Sequence, residues 1–172
     1  MKLIQTLIIL CTSIASYANA PADSIKVLDF KPYKINYPSS WRLKENCTAK
    51  ECSIIAPFDT LSKTYDTYGE SINLTFSNLP SAEYTVDKYA QFSIDYLPKV
   101  VKDFKVLEKK KIKPNVIRIV YTGEKNTFKQ TWRQYYYVRG GKVYIVTFSA
   151  ETAKYDYYQP FIEPYLNSFM LK

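Results

Sequence analysis

Two adjacent glycines, Gly140-Gly141, stand between two long runs of β-forming residues, 127–139 and 142–150, and no other feature constrains the fold as much. Both glycines can adopt the positive backbone angles that a two-residue hairpin turn requires. Such a turn fixes the register: Arg139 faces Lys142, Val138 faces Val143, Tyr137 faces Tyr144, Tyr136 faces Ile145 and Tyr135 faces Val146. Adjacent pairs point to opposite sides of the ribbon, and here both sides are largely apolar or aromatic. A strand pair greasy on both sides needs cover on both sides.

The rest of the chain supplies strands and two covers. Further strands are expected over 30–37, ending at the turn Pro38-Ser39-Ser40-Trp41, and over 53–57, 104–113 and 116–122. In the segment 72–77, Ile72, Leu74 and Phe76 alternate with Asn73, Thr75 and Ser77, the pattern of a strand buried on one face. Thr85 can cap a helix whose apolar residues Val86, Ala90, Ile94, Leu97 and Val101 recur at helical spacing, with Pro98 bending or ending it. Tyr158, Phe161, Ile162, Tyr165, Leu166 and Phe169 make a second helical seam. The fold class that follows is α+β: a central antiparallel β-sheet flanked by helices.

The N-terminus addresses the compartment. Lys2, the apolar run Leu3 to Leu10 and the small residues Ala18-Asn19-Ala20 predict that residues 1–20 are a signal peptide, leaving 21–172 as a single domain that is periplasmic or secreted. Pro21 fits poorly after a scissile bond, so Ser16-Tyr17-Ala18 is a second cleavage site. Cys11 lacks the small residue before it that lipid attachment wants. Loss of the leader would remove Cys11 and leave Cys47 and Cys52, separated by four residues. An even count in an oxidising compartment reads as one disulfide closing a small loop. A metal pair or redox pair is the weaker reading, because the protein has no histidine and the spacing is not C-x-x-C.

Taken in order, Tyr37-Pro38-Ser39-Ser40-Trp41, the one-face strand, the Thr85-capped helix, the strand ending Val143-Tyr144-Ile145-Val146-Thr147-Phe148-Ser149-Ala150 and the closing Leu166-Asn167-Ser168-Phe169 resemble the PsbP-like superfamily, over roughly residues 28–171. That group includes a photosystem accessory subunit, a Ran-associated nuclear transport factor and many exported bacterial proteins. The resemblance implies an α/β/α sandwich around an antiparallel sheet and a non-enzymatic binding or assembly role. It transfers no site motif, and the Cys47–Cys52 bridge is not part of it.

The search for chemistry is mostly negative. Without histidine the usual general base and the commonest metal ligand are missing. Ser62-Lys63 lies outside any nucleophile motif, and the acids Asp59, Asp66 and Glu70 lack calcium-loop spacing and read as solvated surface. The sequons at Asn46 and Asn73 read as coincidental. No cofactor, no metal and no nucleic acid are expected.

Two features point to a partner. Lys109, Lys110, Lys111 and Lys113 close a run of seven lysines that begins at Lys99 and contains only two acids, Asp103 and Glu108. With a net charge of +8, the chain suits an acidic protein, an anionic envelope component or peripheral contact with a membrane. The competing reading is a solvated edge strand whose lysines deter aggregation. Tyr135 and Tyr137, with Arg133 and Arg139 interleaved, form the second candidate surface, since aromatics beside arginine are favoured at interfaces; most of the aromatics must nevertheless be core. The function expected is an exported accessory or assembly factor of the envelope. The alternatives are an amphiphile or lipid carrier with a tyrosine-lined groove between helix and sheet and, ranking last, a hydrolase.

Overall fold

A computed structural model describes residues 23–58 and 67–172. The expected leader, Asp59, Asp66 and Ser62-Lys63 lie outside the described residues.

The described residues open with β1 (Ile25–Asp29) and β2 (Tyr33–Pro38), an antiparallel pair. A turn closed by the Trp41 amide donating to the Pro38 carbonyl (3.0 Å) leads to β3 (Arg42–Leu43), β4 (Glu51–Ile55) and β5 (Ser71–Asn78). Helix α1 (Val86–Tyr96) follows, started by the Thr85 hydroxyl accepting from the Lys88 amide at 3.2 Å and stopped by a 3-10 turn containing Pro98. Four long strands come next: β6 (Lys102–Lys113), β7 (Val116–Lys125), β8 (Phe128–Arg139) and β9 (Lys142–Glu151). Helix α2 (Tyr155–Asn167) and the short β10 (Met170–Leu171) complete the chain.

Seven strands form one antiparallel sheet in the order β3-β4-β5-β9-β8-β7-β6. The hairpin between β8 and β9 keeps all five expected pairs, and Gly140 and Gly141 have φ of 59° and 68°. The fold is therefore a sheet-dominated α+β arrangement. Each face of the ribbon has its own core. On one side Val86 and Ala90 of α1 pack with Ile117, Ile119, Trp132 and Tyr136. On the other, Ile162 and Leu166 of α2 pack with Val146 and Phe148.

This second side differs from expectation. Its cover is α2 together with a separate three-stranded sheet, β1-β2-β10, which adds Tyr33 and Ile35 to the core. β1 was not expected, because Ile25 and Val27 face outward at 64% and 56% exposure and leave only Leu28 as a buried signal. Trp41 is buried as an anchor, edge-on to Tyr158 at 6.4 Å.

Glu70 corrects the reading of the loop acids: it is 1% exposed, not solvated surface. It stands two residues before Ile72 and four before Leu74, so the two-residue period of the strand that starts at Ser71 turns it to the same inner face. Among the described residues no cluster of His, Cys, Asp and Glu could hold a metal ion, and no helix is long and apolar enough to cross a membrane.

Candidate functional site

The lysine run occupies β6, the edge strand of the large sheet, and Lys109, Lys110, Lys111 and Lys113 are all exposed. Cross-strand partners sort these side chains by face. Lys109 and Lys111 lie opposite Ile119 and Ile117, on the α1 side, whereas Lys110 lies opposite Arg118, on the α2 side. Lys111 is bound to Asp87 of α1 (2.8 Å) and Lys109 donates to Gln91 of the same helix (3.2 Å). Bonding by Lys111 holds the Asp87 carboxyl below its ordinary range. Two of the four nominated lysines therefore help seat α1. Lys105, Lys110 and Lys113 make no ion pair among the described residues.

Pairing of β6 with β7 shifts register three times along its length. Bulges and lysines are the devices by which edge strands refuse further strands. The edge consequently presents side chains and not a regular template for strand addition.

Next to the edge, α1 carries a feature that the sequence reading passed over. Lys88, Phe92 and Tyr96 follow one another at four-residue spacing, which aligns them on one helix face. The Phe92 and Tyr96 rings stack at 6.1 Å and remain 54% and 47% exposed. The signal was present, since both residues fall outside the Val86, Ala90, Ile94 stripe that buries.

The aromatic and arginine candidates behave differently. Tyr135 is buried and Tyr137 half-buried, the latter packed 4.7 Å from Phe169. Burial pushes the Tyr137 phenol well above its usual range. They do not present a surface, because β8 is an interior strand of the sheet and both tyrosines pack into the core that α2 shares with the β1-β2-β10 layer. Arg139 is exposed at the hairpin end, opposite Lys142. The eight nominated residues thus form no single patch.

Arg133 is buried, with its side chain 6% exposed, at the wall of an open cleft of about 330 Å³ between the β6–β8 strands and α2. Its Nε donates to the Tyr155 hydroxyl (3.0 Å), and its Nη1 lies 4.0 Å from Glu163 Oε1. Desolvation raises the Tyr155 phenol, with the Arg133 charge pulling the other way. Arg118, across the cleft, grips Glu108 with both Nε (2.7 Å) and Nη2 (3.0 Å). That grip holds the Glu108 carboxyl below its ordinary range. The pairing of Glu108 with Arg118 was not legible in the sequence, because a register shift between Val106 and Glu108 sets which residues meet.

Cys47 and Cys52 form the expected disulfide, with Cα atoms 4.4 Å apart. It fastens the 44–50 loop to β4, where Cys52 is 2% exposed.

No family model matches the chain, and no curated protein matches it. Solved structures do. A protein of unknown function from Pseudomonas aeruginosa, PA94, superposes with a TM-score of 0.60 at 12% identity, over 84% of this chain and 94% of that one. LpqN, involved in cell envelope biogenesis of Mycobacterium tuberculosis, gives 0.59 at 13% identity, over 90% and 87% of the two chains. Cyanobacterial PsbP from Synechocystis sp. PCC 6803 gives 0.55 at 13% identity, over 92% and 99%. The chain has the PsbP-like fold.

Proposed function

We propose that this protein is a non-enzymatic, exported accessory factor of the cell envelope that docks an acidic protein on the surface shared by β6 and the outer face of α1. The observation that carries the reading is the juxtaposition of an exposed aromatic stack, Phe92 and Tyr96, with a lysine-rich edge strand. Aromatics supply contact area at low entropic cost, and surrounding lysines select an acidic counterpart and speed encounter. The non-enzymatic part rests on the chemistry of the chain, which contains no histidine. Export rests on the residue 1–20 pattern, and the envelope role is in keeping with what LpqN is involved in. The reading includes the PsbP-type sandwich, supported by α1 and α2 belonging to opposite cores. The carrier alternative has less support, since Tyr135 and Tyr137, which would line its groove, are committed to packing.

The test is affinity capture from the organism's own envelope extract with the mature chain and two variants. One carries Lys88 and Lys109, on the α1 side, changed to glutamate, sparing the Lys111–Asp87 pair that seats α1; the other carries Phe92→Ala and Tyr96→Ala. A salt-sensitive partner lost in both variants is the expected result. Capture that survives both changes refutes the docking surface, and binding of the mature chain to anionic vesicles alone replaces the protein partner with a membrane.

A further inference from the structure

Arg133 is out of keeping with its surroundings. Its guanidinium is buried at the wall of an open cleft, yet its Nη1 makes no hydrogen bond among the described residues. The nearest carboxylate oxygen, on Glu163, stands at 4.0 Å, beyond hydrogen-bond reach. A buried guanidinium ordinarily has its donors satisfied, and a planar fork of N–H groups is shaped for a carboxylate. Arg118, the other cation of the cleft, is already occupied on both of its bonding nitrogens by Glu108. Among the described residues that line the cleft, the buried donor without a partner is Arg133 Nη1.

The charge of the cleft narrows what can enter. Two arginines face two glutamates, Glu108 and Glu163, so the lining is formally neutral. A phosphate dianion would meet both carboxylates at close quarters and is disfavoured, whereas a single carboxylate replaces Glu163 charge for charge. Glu163 can yield, being 42% exposed on a helix surface. Leu107 and Val120 add an apolar strip beside the charged groups, suited to a short aliphatic stem.

We propose that the cleft between β6–β8 and α2 is a binding site for a monocarboxylate group on a short aliphatic stem, held by the Arg133 guanidinium in place of Glu163. The site is independent of the acidic-partner surface, which uses the opposite face of the sheet. The carboxylate has two sources with the same chemistry: a free aliphatic acid, or a glutamate side chain of a peptide.

Titration of the full chain with butyrate, with a blocked Gly-Glu-Gly peptide and with inorganic phosphate, followed by NMR through the backbone amide resonances of residues 118, 133 and 163, which every variant retains, tests this directly. A saturable shift with butyrate or with the peptide is expected, and which of the two binds identifies the source. Glu163→Gln removes the internal competitor from an exposed position and should tighten binding about fivefold, in line with the loss of one weak ion pair. Arg133→Lys, which keeps the charge but not the fork, should weaken it at least about tenfold. Should the lysine variant fail to fold, Glu163→Gln alone decides. Absence of a saturable shift in both the wild type and Glu163→Gln overturns the proposal, as does phosphate binding as tightly as butyrate.

Discussion

Two hairpin turns in the large sheet show how much a single residue type reveals. Gly140-Gly141 announces its turn, because only glycine takes two successive positive φ angles without cost. The turn between β7 and β8 has the same geometry, with φ of 51° at Asn126 and 70° at Thr127, and no glycine marks it. Asparagine tolerates that region, but a β-branched threonine there is strained. Thr127→Gly should therefore stabilise the protein by about 1 kcal/mol, the left-handed penalty of threonine less the added entropy of glycine in the unfolded chain. A raised urea midpoint at unchanged slope is the readout; an unchanged or lowered midpoint would show that the turn is relaxed as it stands. Arg133 makes the complementary point. Its identity is plain in the sequence, but its burial is not, since that depends on the side chains of α2, Tyr155 above all, reaching it from a segment far along the chain.

At the scale of elements, α2 forms despite two prolines. Pro160 and Pro164 lie inside the helix, four residues apart and both exposed, and each lacks the amide that would bond back four residues. Interior prolines cost about 3 kcal/mol or more apiece, while full burial of a large aliphatic side chain contributes about 1.5–3 kcal/mol. Ile162 and Leu166, both at 0% exposure, with Tyr155, Tyr165 and Phe169 besides, are sufficient to offset the loss. The helix was visible in its apolar seam for that reason. The disulfide belongs to this scale too, because it pins a loop to β4 near the edge of the sheet. Changing both cysteines to alanine should lower stability by about 2 kcal/mol, the chain-entropy value for so short a loop. Denaturant melts of the double variant check this, and a loss below about 0.5 kcal/mol would mean that neighbouring strand pairing already orders the loop.

The molecule as a whole is organised by one sheet serving two cores. Trp41 lies in the core under α2 and Trp132 in the core under α1, each nearly inaccessible. Since β7, β8 and β9 contribute side chains to both, neither core can dissolve without the other losing its wall. Single-tryptophan variants, Trp41→Phe and Trp132→Phe, should consequently report coincident unfolding midpoints. Two separated transitions would instead show the α1 side and the α2 side unfolding as distinct units.

What the amino-acid order determined by itself was local: the Gly140-Gly141 register, the Thr85 cap, the one-sided burial of Ile72 and Leu74, and the demand that both faces of the β8–β9 ribbon be covered. These follow from turn chemistry and short-period patterning, which act between near neighbours. Only the tertiary structure decided that β10 closes onto β2, pairing Met170 with Lys34, that β5 lies beside β9 and leaves β6 at the edge, and that Glu70 and Arg133 are enclosed. Those outcomes depend on contacts between segments far apart in the chain, where the deciding quantity is the surface that each segment finds to bury against, and no local pattern encodes it.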